Sequence, residues 1–203
     1  MNLKSIIQLL LPVFLAACET PQQKAQQYYA ASNEKTAIAI FANICVSNAA
    51  VPEKMEEKLA SGRKLGLVID TDSSKRAELQ RDMRLYDDNI IKSWQMADPF
   101  KGLNFNIYVT EKHTCVFDFE NVDKANMINE FQEMRNGFAK LTEVKTVRLD
   151  NRKLQGEGSA GYNFSVPDFP VKSQISLITP TDKYTTHQLI IAPIVSSFIK
   201  IKK

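Results

Sequence analysis

Two short runs of alternating apolar residues constrain the centre of this chain more tightly than anything else in it. Phe105, Ile107 and Val109 recur at every second position, and so do Cys115, Phe117 and Phe119. Successive side chains of a strand point to opposite faces of a sheet, so each run presents one apolar face. For the two faces to coincide in a hairpin, residue 109 must stand opposite 115, 107 opposite 117, and 105 opposite 119. That register needs an odd loop, most simply Glu111, Lys112 and His113. A two-residue turn would set Val109 against Thr114 and split the core face. His113 is then a turn residue.

Helical spacing governs the stretches on either side. Ile38, Phe41, Ala42 and Cys45 fall at i, i+3, i+4 and i+7, which predicts a first helix over about 35–47 with Cys45 on its apolar face. Pro52 suits the opening position of a second helix, with Val51, Met55 and Leu59 four apart and an end near Gly62. Asp72, Ser73 and Ser74 offer caps for a third. Its stripe of Leu79, Met83, Tyr86, Ile90 and Trp94 competes with a strand reading of 90–96, and the pattern leaves both open. Asn121 or Asp123 can cap a long helix carrying Met127, Ile128, Phe131, Met134, Phe138 and Leu141 on one side. Short strands follow at about 143–149, 160–166, 173–179 and 184–192. Strands grouped behind helices, without βαβ alternation, indicate an α+β fold with a mainly antiparallel sheet packed on several helices.

Length and charge bound the rest. The 203 residues fit one domain with a short appendage, and 44% hydrophobic content is too high for a disordered chain. Lysine and arginine number 26 against 23 acidic residues, which leaves little surplus to neutralise phosphates, so nucleic acid is not an expected partner.

The N-terminus carries the most specific motif. One positive charge at Lys4 is followed by an apolar run from Ser5 to Leu15, too short to span a membrane and of the size of a signal peptide. It ends in Leu15-Ala16-Ala17-Cys18, which resembles the lipobox of bacterial lipoproteins. The resemblance covers only the first 18 or so residues and implies nothing about the domain behind them. It implies cleavage before Cys18, acylation of Cys18, and attachment to the membrane through the acyl chains without a spanning segment, since two or more chains hold a protein stably. Glu19 follows where aspartate would imply inner-membrane retention, so the family rule favours the outer membrane, with the domain facing the periplasm. The expected division is a signal peptide over 1–17, a lipidated cysteine and polar tether over 18–34, and a single α+β domain over 35–203.

With Cys18 committed to lipid, Cys45 and Cys115 remain. An exported protein meets an oxidising compartment, and both residues point at a core where a helix can lie on a sheet, so a disulfide between them is expected. Two buried free thiols are the alternative.

Other motifs carry less chemistry than their letters suggest. Gly156-Glu-Gly158-Ser-Ala-Gly161 matches a dinucleotide fingerprint, yet Tyr162-Asn-Phe-Ser-Val166 behind it alternates like a strand where the motif needs a helix. Ser61-Gly-Arg-Lys64 has the Ser-x-x-Lys spacing of penicillin-recognising enzymes without their companion elements. Asp70-Thr-Asp72-Ser-Ser74 begins like a calcium loop, but Lys75 and Arg81 stand where glycine and glutamate are required, and helix capping accounts for it better. His113 and His187, the two histidines, lack a nucleophile-elbow sequence. Asp87-Asp88 and Glu56-Glu57 read as solvated charges. No catalytic residue, metal ligand or cofactor is therefore expected. The expected function is a membrane-anchored, non-enzymatic envelope module that binds another envelope protein or assists a complex. The alternatives are an inhibitor of an envelope enzyme and a module for a small ligand or cell-wall fragment, with Tyr28, Tyr29, Trp94, Tyr108 and Tyr162 as candidate cleft aromatics.

Overall fold

The structure, a computed structural model, describes residues 26–28, 30–48, 51–82, 88–99, 101–140, 145–148, 161–166, 173–180 and 184–193. Four α-helices are α1 (Asn33–Phe41), α2 (Pro52–Lys64), α3 (Ser73–Asp82) and α4 (Lys124–Ala139), with a π-helical turn, Ala42–Val46, continuing α1. The strands are β1 (Val68–Asp70), β2 (Ile90–Asp98), β3 (Leu103–Thr110), β4 (Cys115–Phe119), β5 (Lys145–Arg148), β6 (Gly161–Val166), β7 (Ser173–Ile178) and β8 (His187–Pro193). They form one sheet in the order β1-β2-β3-β4-β8-β7-β6-β5, antiparallel at every junction. The fold is α+β. Two meanders, β1 to β4 and β5 to β8, run towards each other and meet where β8 pairs with β4, and α4 carries the chain from one to the other.

The central hairpin adopts the register that its alternation dictates: Val109 faces Cys115, Ile107 faces Phe117, and Phe105 faces Phe119. Its turn is the three-residue loop 111–113. His113 closes it in the left-handed region at φ 57°, the geometry of a type I turn followed by an αL residue. The Thr110 N–H donates to the Thr114 carbonyl at 3.0 Å and the Thr114 N–H to Thr110 Oγ1 at 3.1 Å. Asp88 holds the loop from outside, accepting from the Lys112 N–H at 3.1 Å. Asp88 is buried, not a solvated charge as its sequence neighbourhood suggests, because its carboxylate also accepts the Asn89 N–H.

One row of side chains across the sheet shows where the core sits. Trp94, Ile107, Phe117, Leu189 and Leu177 face one another on successive strands and are all buried. Helices α1 and α4 cover this face with Ala37, Phe41, Met127, Phe131, Met134 and Phe138. On the opposite face a smaller cluster, Tyr108, Val116, Ile178 and Ile190, lies with Leu79 of α3 and Ile90.

Residues 90–96 are strand, which settles the ambiguity of their spacing. The register slips by one between Ile90, opposite Thr110, and Lys92, opposite Val109. Such a bulge turns the following side chains to the other face. Ile90 therefore joins the α3 cluster while Trp94, four residues on, enters the main core. Met83 and Tyr86 of the proposed helical stripe lie outside the described residues, as do Leu141 and residues 156–160 of the glycine motif.

Capping explains where the helices start. The Ser32 side chain accepts from the Lys35 N–H at 3.2 Å, Asp72 from the Lys75 N–H at 2.8 Å, and Asp123 from the Asn126 N–H at 2.9 Å. Asp72 is thus a cap, and Asp70 pairs with Arg63 at 2.7 Å. Of the two candidate caps for α4, Asp123 is the one used; Asn121 sits at φ 63° and donates to the Gly102 carbonyl. Replacing Asp123 by alanine removes that acceptor and is expected to lower stability by about 1 kcal/mol. Urea unfolding of Asp123→Ala checks it: the midpoint should fall with the slope unchanged.

Candidate functional site

The π turn shapes one wall of the site. Its wider turn lets the Ser47 N–H bond the Ala42 carbonyl five residues back, at 2.8 Å. Ile44, Cys45 and Val46 are buried together as a result, where a regular helix would turn one of them outward. Cys45 meets Cys115 at the start of β4 in a disulfide with a Cα separation of 5.7 Å. The bridge pins the end of the first helix to the middle of the sheet.

A cavity of about 900 Å³ opens among α1, the π turn, α2, β1, the end of β2 and α4. Its apolar lining includes Ile38, Ile40 and Ile44 from the first helix and turn, Leu59 from α2, Met96 from β2 and Met134 from α4. Gly62 permits the close approach of α2 to β1 at one end, since a Cβ there would stand 2.7 Å from Val68 Cγ2. Exposed Lys35, Lys58 and Lys140 and the carboxylates of Glu130 and Glu133 also line it. None of these five makes an ion pair among the described residues.

The segment before α1 is fastened to the same place. Residues 26–28 are helical, and Gln27 and Tyr28 line the cavity. The Tyr28 hydroxyl donates to Asp98 Oδ2, at the end of β2. The Lys101 N–H donates to Asp98 Oδ1 at 3.2 Å, and Lys101 Nζ lies 5.2 Å from the centre of the Tyr28 ring, a cation–π distance. Glu34, buried at the start of α1, accepts the Asp123 N–H at 2.8 Å and joins the heads of α1 and α4. The last part of the expected tether is therefore packed against the domain.

The other residues singled out by sequence are dispersed. Ser61 and Lys64 are both exposed in the last turn of α2. His113 is at the exposed hairpin tip, before β4. His187 faces Phe119 at the other end of that strand, stacked on its ring with centroids 5.8 Å apart. Glu56 pairs with Lys92 across to β2. Of the candidate cleft aromatics, Tyr28 lines the cavity, whereas Trp94 and Tyr108 are buried in the two core clusters. Tyr29 lies outside the described residues. Tyr162 is on β6.

Sequence reasoning named Tyr28 but missed the rest of the lining. A signal was present in Ile40, an apolar residue off the stripe that Ile38, Phe41 and Cys45 define, and only half-buried. Among the described residues no group of three or more His, Cys, Asp or Glu is placed to hold a metal ion. Among them, too, no helix is long and apolar enough to cross a membrane. No family model matches the chain, and neither a curated protein nor a solved structure matches it.

Proposed function

We propose that the chain is a lipid-anchored protein of the bacterial envelope whose domain is a binding module, with the cavity beside α1 as its binding surface. The observation that carries the binding role is the cavity: about 900 Å³, lined by isoleucine, leucine and methionine side chains and edged by lysines and glutamates that form no ion pair among the described residues. Binding sites for small molecules commonly measure about 300–1,000 Å³ and pair an apolar floor with a few polar groups. The anchor rests on Leu15-Ala16-Ala17-Cys18. The fastening of Tyr28 to Asp98 supports the combination, because it sets Gln27 and Tyr28 at the cavity, nine and ten residues after Cys18.

The mass of the N-terminal peptide, from protein isolated from membranes of a producing bacterium, tests the anchor. The expected result is a chain that begins at Cys18 and carries diacylglycerol on sulfur and a further acyl group on nitrogen. An unmodified Cys18 overturns it. In-cell cross-linking tests the binding role, with Cys18→Ala as control. A stoichiometric partner or ligand that depends on the anchor supports it, and one indifferent to Cys18→Ala separates binding from location.

A further inference from the structure

We propose that the occupant of this cavity is a membrane phospholipid, its acyl chain lying along the isoleucine and methionine lining and its headgroup at the charged mouth. The inference rests on the lipid-anchor reading and deepens it by naming the ligand of the same site.

Three features converge on this ligand. The first is access. From Cys18 to Gln27 the chain has nine steps, and even fully extended it reaches at most about 30 Å. Tyr28 is fixed to Asp98 at the cavity itself, so the fixed end of the tether and the mouth of the cavity coincide. An anchored domain is thereby kept within reach of the bilayer surface by its cavity side.

The second feature is size and polarity. Ile40, Ile44, Leu59, Met96 and Met134 offer branched and flexible apolar side chains from five different elements. Methionine adapts to chains of varying shape. An acyl chain passing from a bilayer to such a lining exchanges one apolar surrounding for another, whereas a small polar metabolite would give up hydration there without hydrogen bonds in return.

The third is the charge at the mouth. Lys35, Lys58 and Lys140 provide three ammonium groups, Glu130 and Glu133 two carboxylates, and none is ion-paired among the described residues. The lysines suit a phosphate, and the nearby carboxylates suit an ammonium. A zwitterionic headgroup of the phosphoethanolamine kind presents both.

The test is photo-cross-linking of the full chain in its own membrane, with a benzophenone amino acid in place of Ala39 and, separately, of Ser61. Ala39 and Ser61 line the cavity, while Lys54, on α2 outside the lining, serves as the control position. The expected result is an adduct of phospholipid mass at position 39 or 61, about tenfold more abundant than at position 54, the ratio that about 1.4 kcal/mol of preference produces. Lys35→Glu combined with Lys140→Glu should reduce that adduct to the control level while the far-UV circular dichroism stays unchanged. A polypeptide adduct overturns the proposal in favour of a protein partner. An adduct to the acyl chains of the protein's own Cys18 overturns it in favour of a self-shielded anchor. Equal labelling at all three positions overturns it as mere nearness to the bilayer. The N-terminal mass from the same sample keeps the two readings apart: an acylated Cys18 with no phospholipid adduct sinks only the ligand, and a phospholipid adduct on a chain with unmodified Cys18 sinks only the anchor.

Discussion

Removal of the bridge, by Cys45→Ser with Cys115→Ser or by reductant, is expected to lower the unfolding free energy by about 4 kcal/mol. The sequence separation of the two cysteines is 70, and a loop of that length loses much of its freedom in the unfolded chain when closed. The native side of the equilibrium adds to this. Cys45 lies in the π turn and Cys115 on the core face of β4, both fully buried, so two serines would place two hydroxyls among Phe41, Phe117 and their neighbours. Comparing the serine pair with Cys45→Ala/Cys115→Ala separates the two contributions. The alanine pair should retain the loop-closure loss, and the serine pair should fall further by the cost of unsatisfied hydroxyls. Chemical unfolding of the oxidised protein and both double variants measures it. Equal stability of all three would mean that the bridge contributes nothing in solution. Because the π turn forms one wall of the cavity, ligand capture should weaken along with stability in the bridge-free proteins.

What could be read from the sequence, and what could not, divides by the range of the interactions involved. The register of β3 with β4, the three-residue loop ending in His113, and the inward faces of α1 and α4 all follow from local periodicity, which depends on side-chain direction and little else. The Cys45–Cys115 pairing was legible for the same reason: each periodicity set one cysteine towards a common core. The insertion of β8 between β4 and β7 was not. It depends on which edges remain unpaired after the first meander has formed, and alternation says nothing about edges. The bulge after Ile90 was hidden as well, since Ile90 and Trp94 are spaced both for a helix and for one face of a strand, yet they end in different clusters. Asp88 misled because a carboxylate beside another carboxylate looks solvated until the turn it holds is known. Tyr28 could be named as a cleft aromatic, but its place could not. Its partner Asp98 is 70 residues away, and a single polar contact of that range leaves no periodic trace. The cavity itself is a product of tertiary packing, and only the off-stripe Ile40 announced it.

Phe117→Ala is expected to cost about 3–5 kcal/mol, as large as the loss of the bridge. Phe117 is fully buried on β4, with Ile107 opposite on one side and Leu189 on the other, at the strand where the two meanders meet. Its ring lies 5.0 Å from that of Phe105 and 6.0 Å, edge-on, from that of Phe41. Truncation therefore removes contacts to both neighbouring strands and to the covering helix. Phe117→Leu keeps most of the volume and should cost clearly less. The position also distinguishes one cooperative unit from two. Trp94, the single tryptophan, sits buried in β2 and reports on the first meander, whereas far-UV circular dichroism reports on the whole sheet. If the β4–β8 junction makes the sheet one unit, the two signals shift together in Phe117→Ala and their transitions coincide. Should tryptophan fluorescence change at a denaturant concentration where much of the strand signal persists, the junction is a boundary between two units and the eight strands do not share one core.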